Sequence, residues 1–172
     1  MPPDLHPRHS AKIKSADELS AIVREARQAG RKVALAIGSF NILMYHHARY
    51  LAEAAEMADM LVVLTNSAES LQDYKNRSGK YVAIPEAERM GLLASFACVD
   101  YVCAFGSRHA DDVIASIHPD ILARGGDYAL ETLHPPERAV CERLGIEIRF
   151  TPLRRYTNTG RFIREIIEKG SR

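Results

Sequence analysis

The stretch Gly38-Ser39-Phe40-Asn41-Ile42-Leu43-Met44-Tyr45-His46-His47 decides the fold. The apolar run Val33-Ala34-Leu35-Ala36-Ile37 leads into it and reads as a buried strand. A helical pattern leaves it, with His47, Tyr50, Leu51, Ala54, Ala55 and Ala58 on one face. Strand, glycine turn and helix start, in that order, are how α/β proteins offer backbone N–H groups and a helix dipole to a phosphate. His47 falls at the helix start, on the inward face, where its imidazole can reach the same anion. The pattern also fits a plain loop–helix junction whose histidines only pack, since single glycine turns are common.

Composition narrows the classes. At 172 residues the chain fits one domain with a proper core. Lys+Arg 23 against Asp+Glu 22 leaves it near neutral, so no bulk attraction to nucleic acid or to a membrane surface is expected. Cys98, Cys103 and Cys141 lack metal-ligand spacing and read as reduced thiols. The start, Met1 to Pro7, has no apolar core of a secretory signal, and no apolar run is long enough to span a bilayer. A cytoplasmic protein is the expectation.

Along the chain, residues 1–11 read as a flexible or loosely docked arm, and residues 12–172 as a single domain. His6 and His9 could take a metal, although a solvated tail explains them equally. Ser15-Ala16-Asp17-Glu18 is a capping box, and Leu19, Ile22, Val23 and Ala26 follow at helical spacing up to Gly30. Met60 to Thr65 reads as a second strand, with Asn66 and Ser67 at the edge where open parallel sheets bind ligands. Residues 68–84 read as a polar loop carrying Lys75, Arg77 and Lys80. Pro85 to Phe96 is a helix, Val99 to Phe105 a third strand, and Asp111 to Ile117 a short helix. A fourth strand, Asp120 to Ala123, ends in Arg124-Gly125-Gly126-Asp127-Tyr128, where two glycines let backbone approach a ligand. Asp127 could accept from a base or sugar, or simply shape a turn. Pro135 to Leu144 is helical and Ile146 to Phe150 alternates like an edge strand. A last helix places Phe162, Ile163, Ile166 and Ile167 inward, capped by Asn158 or Thr159, with Arg154, Arg155 and Arg161 around its start as a second anion contact. Repeated strand–helix alternation gives a doubly wound, five-stranded parallel sheet.

With these residues lined up, the chain resembles the cytidylyltransferase-like nucleotidyltransferases. Within them it looks most like the stand-alone heptose 1-phosphate adenylyltransferases and the equivalent second domain of the bifunctional heptose synthesis enzyme. The likeness runs over roughly residues 12–168. Gly38, Phe40 and His47 match the family's Gly-x-Phe-Asp-x-x-His-x-Gly-His motif, and Tyr50-Leu51 continues it. Thr65-Asn66-Ser67, Glu88-Arg89, Val99-Asp100 and Arg124 to Tyr128 follow in family order, with Asn158-Thr159 a looser match to the closing motif. The resemblance implies the Rossmann-like α/β fold of the HIGH-type nucleotidyltransferase superfamily. It implies ATP or CTP as substrate with Mg²⁺, and a small phosphorylated acceptor such as a heptose phosphate. It places His47 and Lys75 on the phosphates, and Gly38, Phe40, Asn41 and His46 around the nucleotide. Arg124, Gly125 and Asp127 fall near the base, and Asn158, Thr159 and Arg161 at the leaving pyrophosphate. It assigns no protein-held metal. Homodimerisation is compatible with the resemblance, and nothing in the sequence defines an interface.

Three positions depart from the motif. Asn41 stands where the family has Asp, Met44 replaces the first His, and His46 replaces the Gly. The changes remove a carboxylate, remove a donor and add a large side chain. Gly160 and Arg161 likewise stand where the closing motif has small polar or amide residues. Three readings therefore stay open: an active nucleotidyltransferase, a catalytically silent or repurposed relative binding a metabolite or protein partner, and altered chemistry at the His46-His47 pair.

Overall fold

The computed structural model describes residues 5–75, 83–107, 109–152 and 159–170, with backbone alone at 73–75. The expected sites Asn158, Arg77, Lys80, Arg154 and Arg155, and the side chain of Lys75, lie outside what is described.

β1 (Val33–Ile37) is central. It pairs on one side with β2 (Met60–Asn66), which pairs with β3 (Tyr101–Phe105). On its other side it pairs with β4 (Ile121–Arg124), which pairs with β5 (Glu147–Phe150). All pairings are parallel, in the order β3-β2-β1-β4-β5. The order reverses between β1 and β4, the topological switch point at which doubly wound sheets open a crevice.

Side chains alternate between two cores, as the period of two demands. Val33 and Leu35, Met60, Val62 and Leu64, and Leu122 face one layer. That layer is closed by α2 (Ala16–Gln28), α6 (Asp111–Ile117) and α7 (Pro135–Leu144). Ala34, Ala36, Leu61, Val63, Ile121 and Ala123 face the other, closed by α3 (Tyr45–Ala55) and α5 (Glu86–Ser95). Strands covered on both faces read as continuous apolar runs, which is why β1 and β2 were visible in the sequence. The alanines on the second face leave room for α3 and its buried Leu51 and Ala54. The Ser15 capping box is present: Oγ of Ser15 accepts the Glu18 N–H at 3.2 Å, and Glu18 accepts the Ser15 N–H at 2.8 Å.

Three expectations change. Residues 68–75 are not loop but α4 (Ala68–Lys75). Its first turn is organised by Ser67, whose Oγ accepts the Ser70 N–H at 3.1 Å, and by Glu86, which accepts the Ala68 N–H at 2.9 Å. Among its described side chains one buried apolar residue, Leu71, anchors it, too little to show as a periodic pattern. The last helix, α8 (Thr159–Gly170), does not turn its apolar residues inward; none of its residues is buried. Residues 7–10 of the arm form a helical turn, α1 (Pro7–Ser10). Just after it, Ile13 bridges to Val102 and the Lys12 ammonium donates to the Val99 carbonyl at 2.6 Å.

Among the described residues no helix is long and apolar enough to cross a membrane. The three cysteines are free, and burial pushes the Cys103 and Cys141 thiols up to about 11.

At the switch point the sheet parts around one hydroxyl. Gly38 N–H still bonds the Leu64 carbonyl on the β2 side, at 3.1 Å. On the β4 side, the Tyr50 hydroxyl accepts from Ile37 N–H at 3.3 Å and donates to the Ala123 carbonyl at 2.9 Å. Burial pushes this phenol up to about 12, so it holds both bonds at any ordinary pH. Tyr50→Phe strands a buried N–H and a carbonyl and is expected to cost about 1–3 kcal/mol, read as a lower urea midpoint at unchanged slope.

Candidate functional site

A cavity of about 370 Å³ opens at the C-terminal edge of the sheet, where the strand order reverses. Its lining joins the loop after β1 (Gly38, Ser39, Phe40), the start of α3 (His46, His47, Arg49, Tyr50, Glu53) and the loop after β4 (Gly125, Gly126, Asp127, Tyr128). Thr151 and Pro152, which follow β5, complete it.

The first loop is shaped by Phe40, whose backbone sits in the left-handed region at φ +43°. Such a conformation costs a bulky residue roughly 1–3 kcal/mol and persists only where packing over-determines it. Here the packing is visible: the ring is buried, stacks on Tyr50 at 6.5 Å and meets His47 edge-on at 5.9 Å. A Cβ at Gly38 would lie 2.9 Å from the same ring, so residue 38 must be glycine for the ring to lie where it does. The Ser39 carbonyl accepts from Thr65 Oγ1 at 3.1 Å and from Arg89 Nη1 at 3.0 Å. In a planar trans peptide the following N–H, that of Phe40, then points away from Arg89.

Arg89 is the functional-site residue that sequence reading passed over, quoting it only as part of a motif. Its guanidinium is buried beneath the site and also donates to the Ile84 carbonyl, to Thr65 Oγ1 and to the Asn66 carbonyl. It ties three chain segments together. The signal was an arginine four residues before Leu93 on the apolar face of a helix. Asn41 completes this support, its Oδ1 accepting the Ile84 N–H at 2.7 Å. An amide oxygen does there what a carboxylate oxygen could, so the change from the family's Asp leaves the scaffold intact.

His47 reaches back so that its Nδ1 accepts the Met44 N–H at 3.0 Å, the part a glutamate plays in a capping box. The proton of the neutral ring therefore sits on Nε2. Burial, and then the neighbouring His46, lower its pKa to about 4. At neutral pH His47 is an uncharged donor with a fixed tautomer. The His46 ring lies against it at 3.9 Å between centroids, and the buried His46 Nδ1 has no partner among the described atoms.

The other expected residues divide. Gly125 lines the cavity, and a Cβ on it would lie 2.6 Å from Asp127 Oδ1. Asp127 thus folds back over its own glycine while the Tyr128 N–H closes the turn on the Gly125 carbonyl. Thr159 is brought to the motif loop, its hydroxyl 3.4 Å from the Ile42 carbonyl and 3.5 Å from the Met44 sulfur. Arg124 does not line the cavity. Its guanidinium is buried against Glu137 of α7, on the opposite face of β4, with the Tyr128 ring 5.4 Å away. Arg161 pairs with Glu165 on the surface of α8. Among the described residues no three side chains gather that could hold a metal ion.

The family model for cytidylyltransferase-like proteins matches residues 35–158. The Bifunctional protein HldE of Hydrogenovibrio crunogenus is 41% identical over 114 residues, covering 66% of this chain and 23% of that protein. That of Trichlorobacter lovleyi is 32% identical over 164 residues, covering 95% of this chain and 33% of that protein. The chain spans about a quarter to a third of the length of these relatives. A solved lipopolysaccharide core biosynthesis protein from Thermoplasma volcanium GSS1 shares the fold, with TM-score 0.58 over 74% of this chain and all of that one, at 24% identity.

The geometry makes two predictions. In the ligand-free protein, NMR titration of His47 should show the Nε2–H tautomer and a midpoint of about 4. The unfolded chain takes up that proton first, so the stability His47 contributes is intact above the unfolded pKa of about 6.5 and declines as pH falls toward the folded value. Separately, Arg89→Met should take the arginine donor from the Ile84 and Asn66 carbonyls and one of two donors from the Ser39 carbonyl, at roughly 1–3 kcal/mol for each group left unpaired, lowering the thermal midpoint.

Proposed function

The chain belongs to the cytidylyltransferase-like family, and from that premise we propose that it is a nucleotidyltransferase. In this reading it transfers a nucleotidyl group, adenylyl in the first instance, from an NTP to a phosphorylated sugar of the heptose phosphate type. The observation that carries the reading is His47, held neutral with its Nε2–H fixed, at the start of α3 in the switch-point cavity.

An oxygen of the acceptor phosphate attacks the α-phosphorus. The new P–O bond forms as the bond from the α-phosphorus to the bridging oxygen breaks, and pyrophosphate leaves with that oxygen. No covalent enzyme intermediate is needed, so the work is positioning and charge stabilisation. The triphosphate lies at the start of α3, where the helix dipole favours an anion. His47 Nε2–H donates to a phosphate oxygen. Because the imidazole is neutral, it acts by hydrogen bonding rather than as a fixed cation, until a bound triphosphate raises its pKa. His46, whose Nδ1 has no partner among the described atoms, supplies a second donor, standing in for the one missing at Met44. Gly125 and Gly126 let the base and ribose approach the backbone, with Asp127 beside them, while Thr159, Arg161 and Asn158 serve the leaving pyrophosphate and Lys75 a phosphate. Mg²⁺ arrives with the nucleotide as part of the substrate and neutralises charge on the triphosphate.

Calorimetry with ATP and then CTP, each with Mg²⁺, followed by pyrophosphate release with heptose 1-phosphate, tests the proposal. His47→Ala is expected to cut turnover about 10²–10³-fold. His46→Ala should weaken it as well. If neither nucleotide binds, His46 is filling the nucleotide's place and the proposal fails.

A further inference from the structure

A second cleft, of about 580 Å³, opens at the other end of the sheet, where β1 and β4 begin. It lies between the C-terminal ends of α2 and α6, and its two walls are stitched together. Ser20 Oγ donates to the Ser116 carbonyl at 2.8 Å, and Arg27 Nη1 to the His118 carbonyl at 3.1 Å.

The chain as a whole is near neutral, yet residues 24–32 read Arg-Glu-Ala-Arg-Gln-Ala-Gly-Arg-Lys. Arg24, Arg27, Arg31 and Lys32 all line the cleft, whereas Glu25 does not. Among the described residues one carboxylate lines it, that of Asp120, and both its oxygens are engaged. Oδ2 accepts the Val33 N–H at 2.9 Å, and Oδ1 pairs with Arg27 at 3.1 Å. Asp59, outside the lining, accepts the Lys32 backbone N–H on its carboxylate at 2.8 Å and Arg31 Nη2 on its carbonyl at 3.2 Å. A carbonyl holds the Arg31 side chain without cancelling its charge. Arg24 makes no side-chain hydrogen bond or ion pair among the described residues. The Lys32 ammonium makes none either, though it lies near enough to Glu147 to help lower that carboxyl. A cation in the last turn ordinarily answers the carbonyl end of a helix. Arg27 does so; Arg24 sits a turn earlier, and Arg31 and Lys32 lie past the end of α2.

We propose that this cleft is a second anion site, taking a small, freely diffusing molecule with two or more phosphate groups. Guanidinium forks from α2 and from the turn before β1 suit several phosphate oxygens at once. Among the described residues no Phe, Tyr or Trp lines the cleft, so a nucleobase has nothing to stack on. Its apolar side chains are Ala115 and the buried Ile117, too little to enter a lipid surface. The length of β1, five residues or roughly 17 Å, separates it from the switch-point cavity, and it does not depend on the function proposed for that cavity.

Residue-resolved NMR titration of the full chain with inorganic pyrophosphate is the test. The expected result is saturable shifts of the amides of residues 24–32 and 115–118, at concentrations about tenfold or more below those orthophosphate needs. Pyrophosphate entering the switch-point cavity shifts residues 38–47 and 125–128 instead, so the two sites are read separately. Arg24→Gln with Lys32→Gln removes two charges and no side-chain hydrogen bond among the described residues, and should weaken binding at the cleft about tenfold or more. Absence of shifts at the cleft overturns the proposal. So does the same response to sodium chloride at matched ionic strength, orthophosphate binding as tightly as pyrophosphate, or a double variant that binds unchanged. Vesicles of phosphatidic acid in phosphatidylcholine should leave the protein in the supernatant on centrifugation. Capture of the unaltered chain, lost in the double variant, would assign the cleft to a lipid headgroup and overturn the free ligand.

Discussion

The buried guanidinium of Arg89 is the constraint on which the rest depends. Its donors fall on the loop after β1, on the end of β2 and on Ile84, two residues before α5. A charge kept from water has to be met by hydrogen bonds, and each carbonyl that meets it becomes fixed in direction. Fixing the Ser39 carbonyl sets the next peptide, and Phe40 then takes its left-handed conformation under Tyr50 and His47. The shape of the cavity floor thus follows from a residue that the cavity does not expose.

Much of the fold could be read in the sequence, for identifiable reasons. A parallel strand covered on both faces leaves an unbroken apolar run, so β1 and β2 stood out. Glycines at the switch point marked tight turns, and what comes close to Gly38 and Gly125 is the chain's own Phe40 ring and Asp127 carboxylate. What stayed hidden depended on tertiary partners. The four apolar residues of α8 suggested an inward face, yet among the described residues the chain's own sheet does not cover them. The direction of Arg124 was available: Leu122 and Arg124 share one face of β4, so its side chain turns toward α7 and Glu137 rather than into the cavity. α4 was missed because polar caps from Ser67 and Glu86 hold it more than an apolar stripe does.

The electrostatics of the cavity are quiet for a surface offered to phosphates. His47 is neutral, Arg49 is paired with Glu53 at 2.7 Å, and Arg124 is turned away to Glu137. Among the described side chains, attraction for an anion rests on helix dipole and neutral donors, both short-ranged. A phosphate bound there as proposed would be held by fit more than by field.

The two margins of the sheet are closed off by different means. Along β3, the Lys14 N–H donates to the Val102 carbonyl and the Val102 N–H to the Lys12 carbonyl, both at 2.9 Å, so residues 12–14, just past the leading arm, occupy that margin. Along β5, only four residues long, Glu147 and Arg149 are bonded to each other at 2.7 Å and place charge on the border. Short, charged or occupied borders are what keep open sheets from growing by strand addition. Residues 12–14, just before α2, thus take up the backbone groups of Val102 through which this edge would otherwise add a further strand.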